Sequence, residues 1–100
     1  MAIPVWEKLV SESFSIGLDF TGHLPDTTTI SSGTAAAYDV YGNSATSSVL
    51  LGTSLTIDGD NNLAKIKLKA GSATGKFLIR FTITLSNSDI LQEDMFLFVR

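Results

Sequence analysis

The sequence predicts an all-β domain, an immunoglobulin-like antiparallel β-sandwich of about seven strands. Three observations predict it. Apolar and polar residues alternate in several segments, clusters of Gly, Pro, Asn and Asp interrupt those segments at short spacing, and helical periodicity is nearly absent. Alternation marks a strand with one buried face, because successive side chains of a strand point to opposite sides. Ser and Thr together supply 23 residues, and both suit strands and turns better than helices. The chain has no cysteine, so the Cys…Trp…Cys signature of antibody domains is missing. The prediction concerns architecture and not kinship with antibodies.

Phe14, Ile16, Leu18 and Phe20 alternate with Ser15, Gly17 and Asp19, which predicts a strand. Gly22 and Pro25 then mark a loop over 21–26. A second strand region runs from about Thr28 to Tyr41, with Ile30, Ala36, Tyr38 and Val40 on one parity. A turn over 41–44 leads to a short apolar strand at Val49–Leu51, ended by Gly52. Leu55 and Ile57 enter Asp58-Gly59-Asp60-Asn61-Asn62, and beyond it Ala64, Ile66, Leu68 and Ala70 alternate with Lys65, Lys67 and Lys69. Two such runs about a Gly/Asn/Asp turn predict a hairpin. After a loop over 71–75, Phe77, Ile79, Phe81, Ile83 and Leu85 form the longest alternating run, expected at the centre of a sheet. The last strand is expected from about Leu91 to Val99. Residues 14–100 thus read as the sandwich domain, and residues 1–13 as an N-terminal arm or an extra edge strand.

One hundred residues suffice for one hydrophobic core. With 44% hydrophobic and 17% charged residues, the composition is that of a folded chain. The net charge of −3 is unevenly spread. Residues 1–64 carry seven acids against Lys8, and residues 65–100 carry six bases against three acids, so the parts are −6 and +3. Without cysteine there are no disulfides, zinc-thiolate sites or cysteine nucleophiles. Glu7 and Lys8 interrupt the apolar N-terminal stretch, so no signal peptide or membrane span is expected.

Little in the chain suggests catalysis. The single histidine, His23, lies in a Gly/Pro-flanked loop, and nucleophilic catalysis needs a base held beside its nucleophile. Glu93-Asp94 is an adjacent carboxylate pair, but neighbours in a strand face opposite ways. Asp58, Asp60 and Asn62 have the opening spacing of a calcium loop. The glycine is misplaced at Gly59, however, and the position of the bidentate Glu holds Lys69. Lys65, Lys67 and Lys69 make a basic stripe with no aromatic on its face for base stacking. The expectation is a non-enzymatic protein with no cofactor and no metal, binding neither nucleic acid nor membrane.

Two places break the one-face rule and are the candidate interface. In the last strand, Phe96 and Phe98 take one parity and Met95, Leu97 and Val99 the other, so both faces are apolar. Before Phe14, the arm carries Val5, Trp6, Leu9 and Val10. Apolar surface of this kind is buried against the same domain or against another chain.

The order of motifs resembles a known group. Asp19-Phe20-Thr21 is followed by Asp26 to Ile30 with Ser31-Ser32, then Thr46-Ser47-Ser48. Lys67-Leu68-Lys69-Ala70-Gly71 with Ala73-Thr74-Gly75-Lys76 comes next, and Thr82-Ile83-Thr84, Glu93-Asp94 and Phe98-Val99-Arg100 close the chain. This layout, over roughly residues 14–100, resembles small immunoglobulin-like structural proteins encoded among the head and tail genes of tailed bacteriophages. The loop over 70–75 lacks the double glycine expected of that group. The resemblance implies a virion structural role with no active site. The protein would be made in the host cytoplasm and assembled into the virion, most simply as a capsid decoration or cement protein on the outer head shell. Its partners would be the major capsid protein or other virion proteins, and it would act as a homo-oligomer or in many copies. The alternatives are a tail, neck or fibre-associated module, and a carbohydrate-binding module on the virion surface.

Overall fold

The longest alternating segments form strands, and the strands stack as two sheets. The computed structural model describes residues 5–20, 24, 28–58, 62–71 and 74–100. The described elements are β1 (Val5–Lys8), β2 (Ser15–Asp19), β3 (Ile30–Tyr38), the short helical turn α1 (Thr46–Val49), β4 (Thr56–Asp58), β5 (Leu63–Lys67), β6 (Gly75–Leu85) and β7 (Ile90–Val99). One sheet has the order β1-β7-β6-β3 and the other β2-β5-β4. The core lies between them. Phe77, Ile79, Phe81, Ile83 and Leu85 of β6 and Met95, Leu97 and Val99 of β7 face Ile16, Leu18, Ala64 and Ile66 of the smaller sheet. The five odd-numbered apolar residues of β6 are all buried, and the strand lies between β7 and β3, as its alternation predicts.

The predicted hairpin is present. β4 pairs antiparallel with β5, Ile57 opposite Ala64 and Asp58 opposite Leu63. Asn62 takes a left-handed backbone at φ 54°, which asparagine tolerates better than most residues. Gly59 and Asp60 of this turn, and His23, lie outside the described residues.

Three expectations are corrected. The apolar run at Val49–Leu51 is not a strand. Thr46–Val49 is a single helical turn, and Leu50 makes one isolated bridge to Leu68. In β3 the buried parity is Ala35 and Ala37, not Ala36 and Tyr38. Ser31 is the cause: Ile30 opposes Leu85 and Ser32 opposes Thr84, so Ser31 is the extra residue of a bulge. One inserted residue exchanges the two faces downstream. The sheets are also not wholly antiparallel, because β1 pairs parallel with β7, Val5 beside Phe96 and Lys8 beside Val99. Of the two readings of the N-terminal segment, the extra edge strand therefore describes residues 5–8.

The segment 44–55 seals one flank. Leu51 N donates to Lys67 O and Lys69 N to Val49 O on the smaller sheet. Ala45 N donates to Ala37 O, Ala35 N to Thr53 O and Leu55 N to Gly33 O on the larger one. This lays a strap over the free edge of β3. Gly33 has the core-side parity, and its missing side chain leaves the space that Leu55 occupies.

Candidate interaction surface

Strand register assembles the surface. On the outer face of the four-stranded sheet, Val5 of β1 lies beside Phe96 of β7, Phe96 beside Leu78 of β6, and Leu78 beside Tyr38 of β3. These four residues form one apolar row across all four strands. The row next to it reads Glu7, Phe98, Lys76. Phe96, Phe98, Leu78 and Tyr38 are half-buried, while Val5 is 55% exposed. Lys76 explains how two phenylalanines tolerate this face. Its Nζ sits 4.3 Å from the Phe96 ring centre and 5.7 Å from that of Phe98, so the cation meets the electron-rich faces and the stem covers carbon. The rings are neither sunk in the core nor bare.

Polar groups bound the row. Arg80 makes a two-pronged ion pair with Asp94, Nε to Oδ1 at 2.9 Å and Nη2 to Oδ2 at 3.2 Å. Its guanidinium also lies 5.8 Å from the Tyr38 ring centre. The hydrogen bond to Asp94, and then the charge of that carboxylate, raise the Arg80 pKa above its ordinary value, so the cation persists at any working pH. Beyond this pair the face becomes polar, with Thr82 beside Gln92 and Thr84 beside the exposed Ile90. On the other side, Arg100 reaches Glu7 at 2.8 Å.

The six candidate residues divide evenly. Val5, Phe96 and Phe98 meet on this face. Trp6, Leu9 and Val10 do not join it. Trp6 has the core-side parity of Leu97 at the rim of the sandwich, where its ring centre lies 6.3 Å from that of Phe14. Val10 packs against the core, and Leu9 is exposed in the turn after β1. Sequence reasoning missed Leu78, Tyr38 and Lys76. For Leu78 the only available signal was its place among the even positions of β6, between two buried apolar neighbours.

Lys8 is the unexpected member of the arm. It is 2% exposed, and its Nζ donates to the carbonyls of Leu9, Val10 and Glu12 at 2.9, 3.3 and 3.1 Å. Three acceptors match the three donors of an ammonium, which satisfies the buried charge by hydrogen bonding. The same turn is tied down by Val10 N to Arg100 O and Gly71 N to Val10 O. An edge strand carrying an inward charge is also a poor template for a further strand. With the β3 edge strapped by 53–55, both edges of the larger sheet are guarded among the described residues, and its outer face is left open.

The rest of the described surface offers less. An open cleft of about 430 Å3 lies beside α1, lined by Ser44, Thr46, Ser47, Leu50, Leu51, Gly52, Thr53 and Lys69. Lys69 Nζ is held there by Ser47 O at 3.2 Å. Among the described residues that line this cleft there is no carboxylate or imidazole. Among the described residues no three His, Asp or Glu side chains gather as metal ligands do. Lys65 and Lys67 project from the outer face of the smaller sheet, beside Gly17 and Ser15.

No protein-family model matches the chain, and no curated protein does. Among solved structures, it is similar to the PKD domain from KIAA 1837 protein, with a TM-score of 0.50 and 16% identity, over 97% of this chain and 80% of that one. At that identity the likeness is one of fold. Together with the two stacked sheets it defines the class: the chain is an immunoglobulin-like β-sandwich.

Proposed function

We propose that this domain is a structural protein of a tailed-bacteriophage virion, bound in many copies to the outer head shell, and that it works by contact and not by catalysis. The observation that carries the reading is the apolar row Val5–Phe96–Leu78–Tyr38 with Phe98 beside it. A row of apolar side chains across a whole sheet, three of the four half-buried and bounded by ion pairs, has the apolar-centre and polar-rim anatomy of protein interfaces. The sandwich fold and the motif order over residues 14–100 support the virion setting. The mechanism is burial of this face against a neighbouring virion subunit. Two phenylalanine rings withdrawn from water contribute a few kcal/mol, at roughly 25 cal/mol per Å2.

The test is loading onto empty heads. Purified domain added to heads is expected to sediment with them at a stoichiometry tracking the major capsid protein. Replacing both rings, Phe96→Ser with Phe98→Ser, is expected to lower occupancy about tenfold or more, as loss of an anchor pair does. Thermal melting checks that the variant is folded. Recovery with tails and not with heads would move the protein to a tail, neck or fibre position. Glycan binding in place of either would favour the carbohydrate module.

A further inference from the structure

We infer that the subunit covering the outer face of the four-stranded sheet is a second copy of this chain, related by a two-fold axis that runs along β7. This deepens the virion reading and rests on it only for the statement that the face is used. The argument is complementarity of the face with itself.

β7 lies between β1 and β6, and the row through Phe98 reads Glu7, Phe98, Lys76. A two-fold axis in the plane of contact, parallel to β7, sets β1 of one copy over β6 of the other and keeps each row level. Glu7 of each copy then meets Lys76 of its partner, on either side of a central Phe98 pair. In the next row Val5 meets Leu78, and the Phe96 rings meet at the axis. Both rows therefore match, one in charge and one in apolar character, and one operation satisfies both. Isologous contacts of this kind are the commonest route to dimers.

Lys76 is free to make the contact. The described ion pairs join Arg80 to Asp94 and Arg100 to Glu7, and Lys76 enters neither. Among the described residues its ammonium lies against the two rings. Glu7 keeps Arg100 at its side, and that pair is largely exposed. A carboxylate accepts from both cations.

The size of the face sets the strength. Across such an axis three strands of each copy are opposed, because β3 lies beyond the partner's β1. Three strands about 4.8 Å apart and nine residues at about 3.3 Å each give a footprint on the order of 400 Å2. A standard interface buries about 800 Å2 per partner, so the dimer is expected to be reversible, with a dissociation constant in the micromolar range. Such a contact is weak in dilute solution and becomes effective when copies are held side by side.

Sedimentation equilibrium of the intact chain, from about 5 to 500 µM, tests the inference across the range that a micromolar constant requires. A reversible monomer–dimer equilibrium is expected. Glu7→Lys alone and Lys76→Glu alone should each weaken it about tenfold, since like charges then face each other. The doubly reversed chain, Glu7→Lys with Lys76→Glu, should recover most of the affinity. Both side chains are exposed, but Lys76→Glu gives up the cation over Phe96 and Phe98 and Glu7→Lys gives up the Arg100 pair, so thermal melting checks that each variant is folded. A chain that stays monomeric throughout overturns the inference, as does a dimer indifferent to both reversals or one that the double reversal fails to restore. Loading onto heads separates the two readings. A monomer that still loads leaves the virion reading standing and removes this one, whereas a charge-dependent dimer that never loads supports this inference and removes the virion reading.

Discussion

Substituting Lys8 by glutamate is expected to cost about 4 kcal/mol, a large share of the stability of a domain that has on the order of 5–15 kcal/mol in all. The Lys8 ammonium occupies a pocket of three carbonyl oxygens, those of Leu9, Val10 and Glu12. A carboxylate there would present acceptors to acceptors, with little water to separate them. The neighbouring carbonyls set the order of milder changes. Leu9 O also accepts from Glu12 N, and Val10 O from Gly71 N. Lys8→Met therefore leaves two of the three carbonyls with a donor, keeps most of the packing and removes a buried charge, so it should cost only about 1 kcal/mol. Lys8→Ala also leaves a void beside Val99, and should fall between, near 2–3 kcal/mol. Urea titration of the three variants gives the ranking through the midpoints at constant slope. Equal midpoints for Met and Glu would show that the side chain is not enclosed.

Lys8 also shows where the sequence stops being readable. A lysine between Glu7 and Leu9 looks solvated, because nothing local announces three carbonyls around it. Its burial follows from β1 running parallel beside β7, a contact spanning about ninety positions. The arm's apolar residues could be seen in the sequence, but which of them faced out could not. Val5 reaches the outer face because it falls beside Phe96, and one residue of slip would have sent Trp6 there instead.

Elsewhere legibility followed pattern length. The run from Phe77 to Leu85 carries five core residues on one parity, and β6 is the described strand with most of the core. The two-faced apolar character of Met95 to Val99 was equally plain, and both of its aromatic residues stand on the candidate surface. Short or featureless runs failed. Val49-Leu50-Leu51 has no period to separate strand from helical turn, and both Val49 and Leu50 are buried because the chain folds back there. Ala35-Ala36-Ala37 shows no alternation at all, so the bulge at Ser31 left no trace in the pattern. Half of the candidate surface was lost for a related reason. Leu78 and Tyr38 become surface residues only once register sets them level with Phe96.

Gly33→Val is expected to cost about 3 kcal/mol, for a reason that involves two strands and the strap at once. A Cβ at this position would stand 2.7 Å from Leu55 Cδ1, 3.0 Å from Thr82 O and 3.2 Å from Ile83 Cγ2. The leucine methyl can move, but the Thr82 carbonyl belongs to the backbone of β6 and Ile83 is fully buried. Relief therefore has to come from the strap, whose Leu55 N donates to Gly33 O at 3.0 Å and whose Thr53 O accepts from Ala35 N at 2.8 Å. Displacing it weakens both bonds and uncovers the β3 edge. Overpacking of this kind costs about 1–3 kcal/mol, and a β-branched side chain belongs at the upper end because it cannot rotate clear. Gly42 provides the control. It has φ +82° but nothing within 4 Å of its Cβ position, so Gly42→Ala should cost only about 1 kcal/mol, the strain of a left-handed backbone. Hydrogen exchange of Leu55 N and Ala35 N distinguishes the mechanisms. In Gly33→Val both amides should exchange faster than the global loss of stability requires, because the strap lifts before the sandwich opens. If they slow or hold while the core loosens, the strain has passed into β6 and the strap does not yield first.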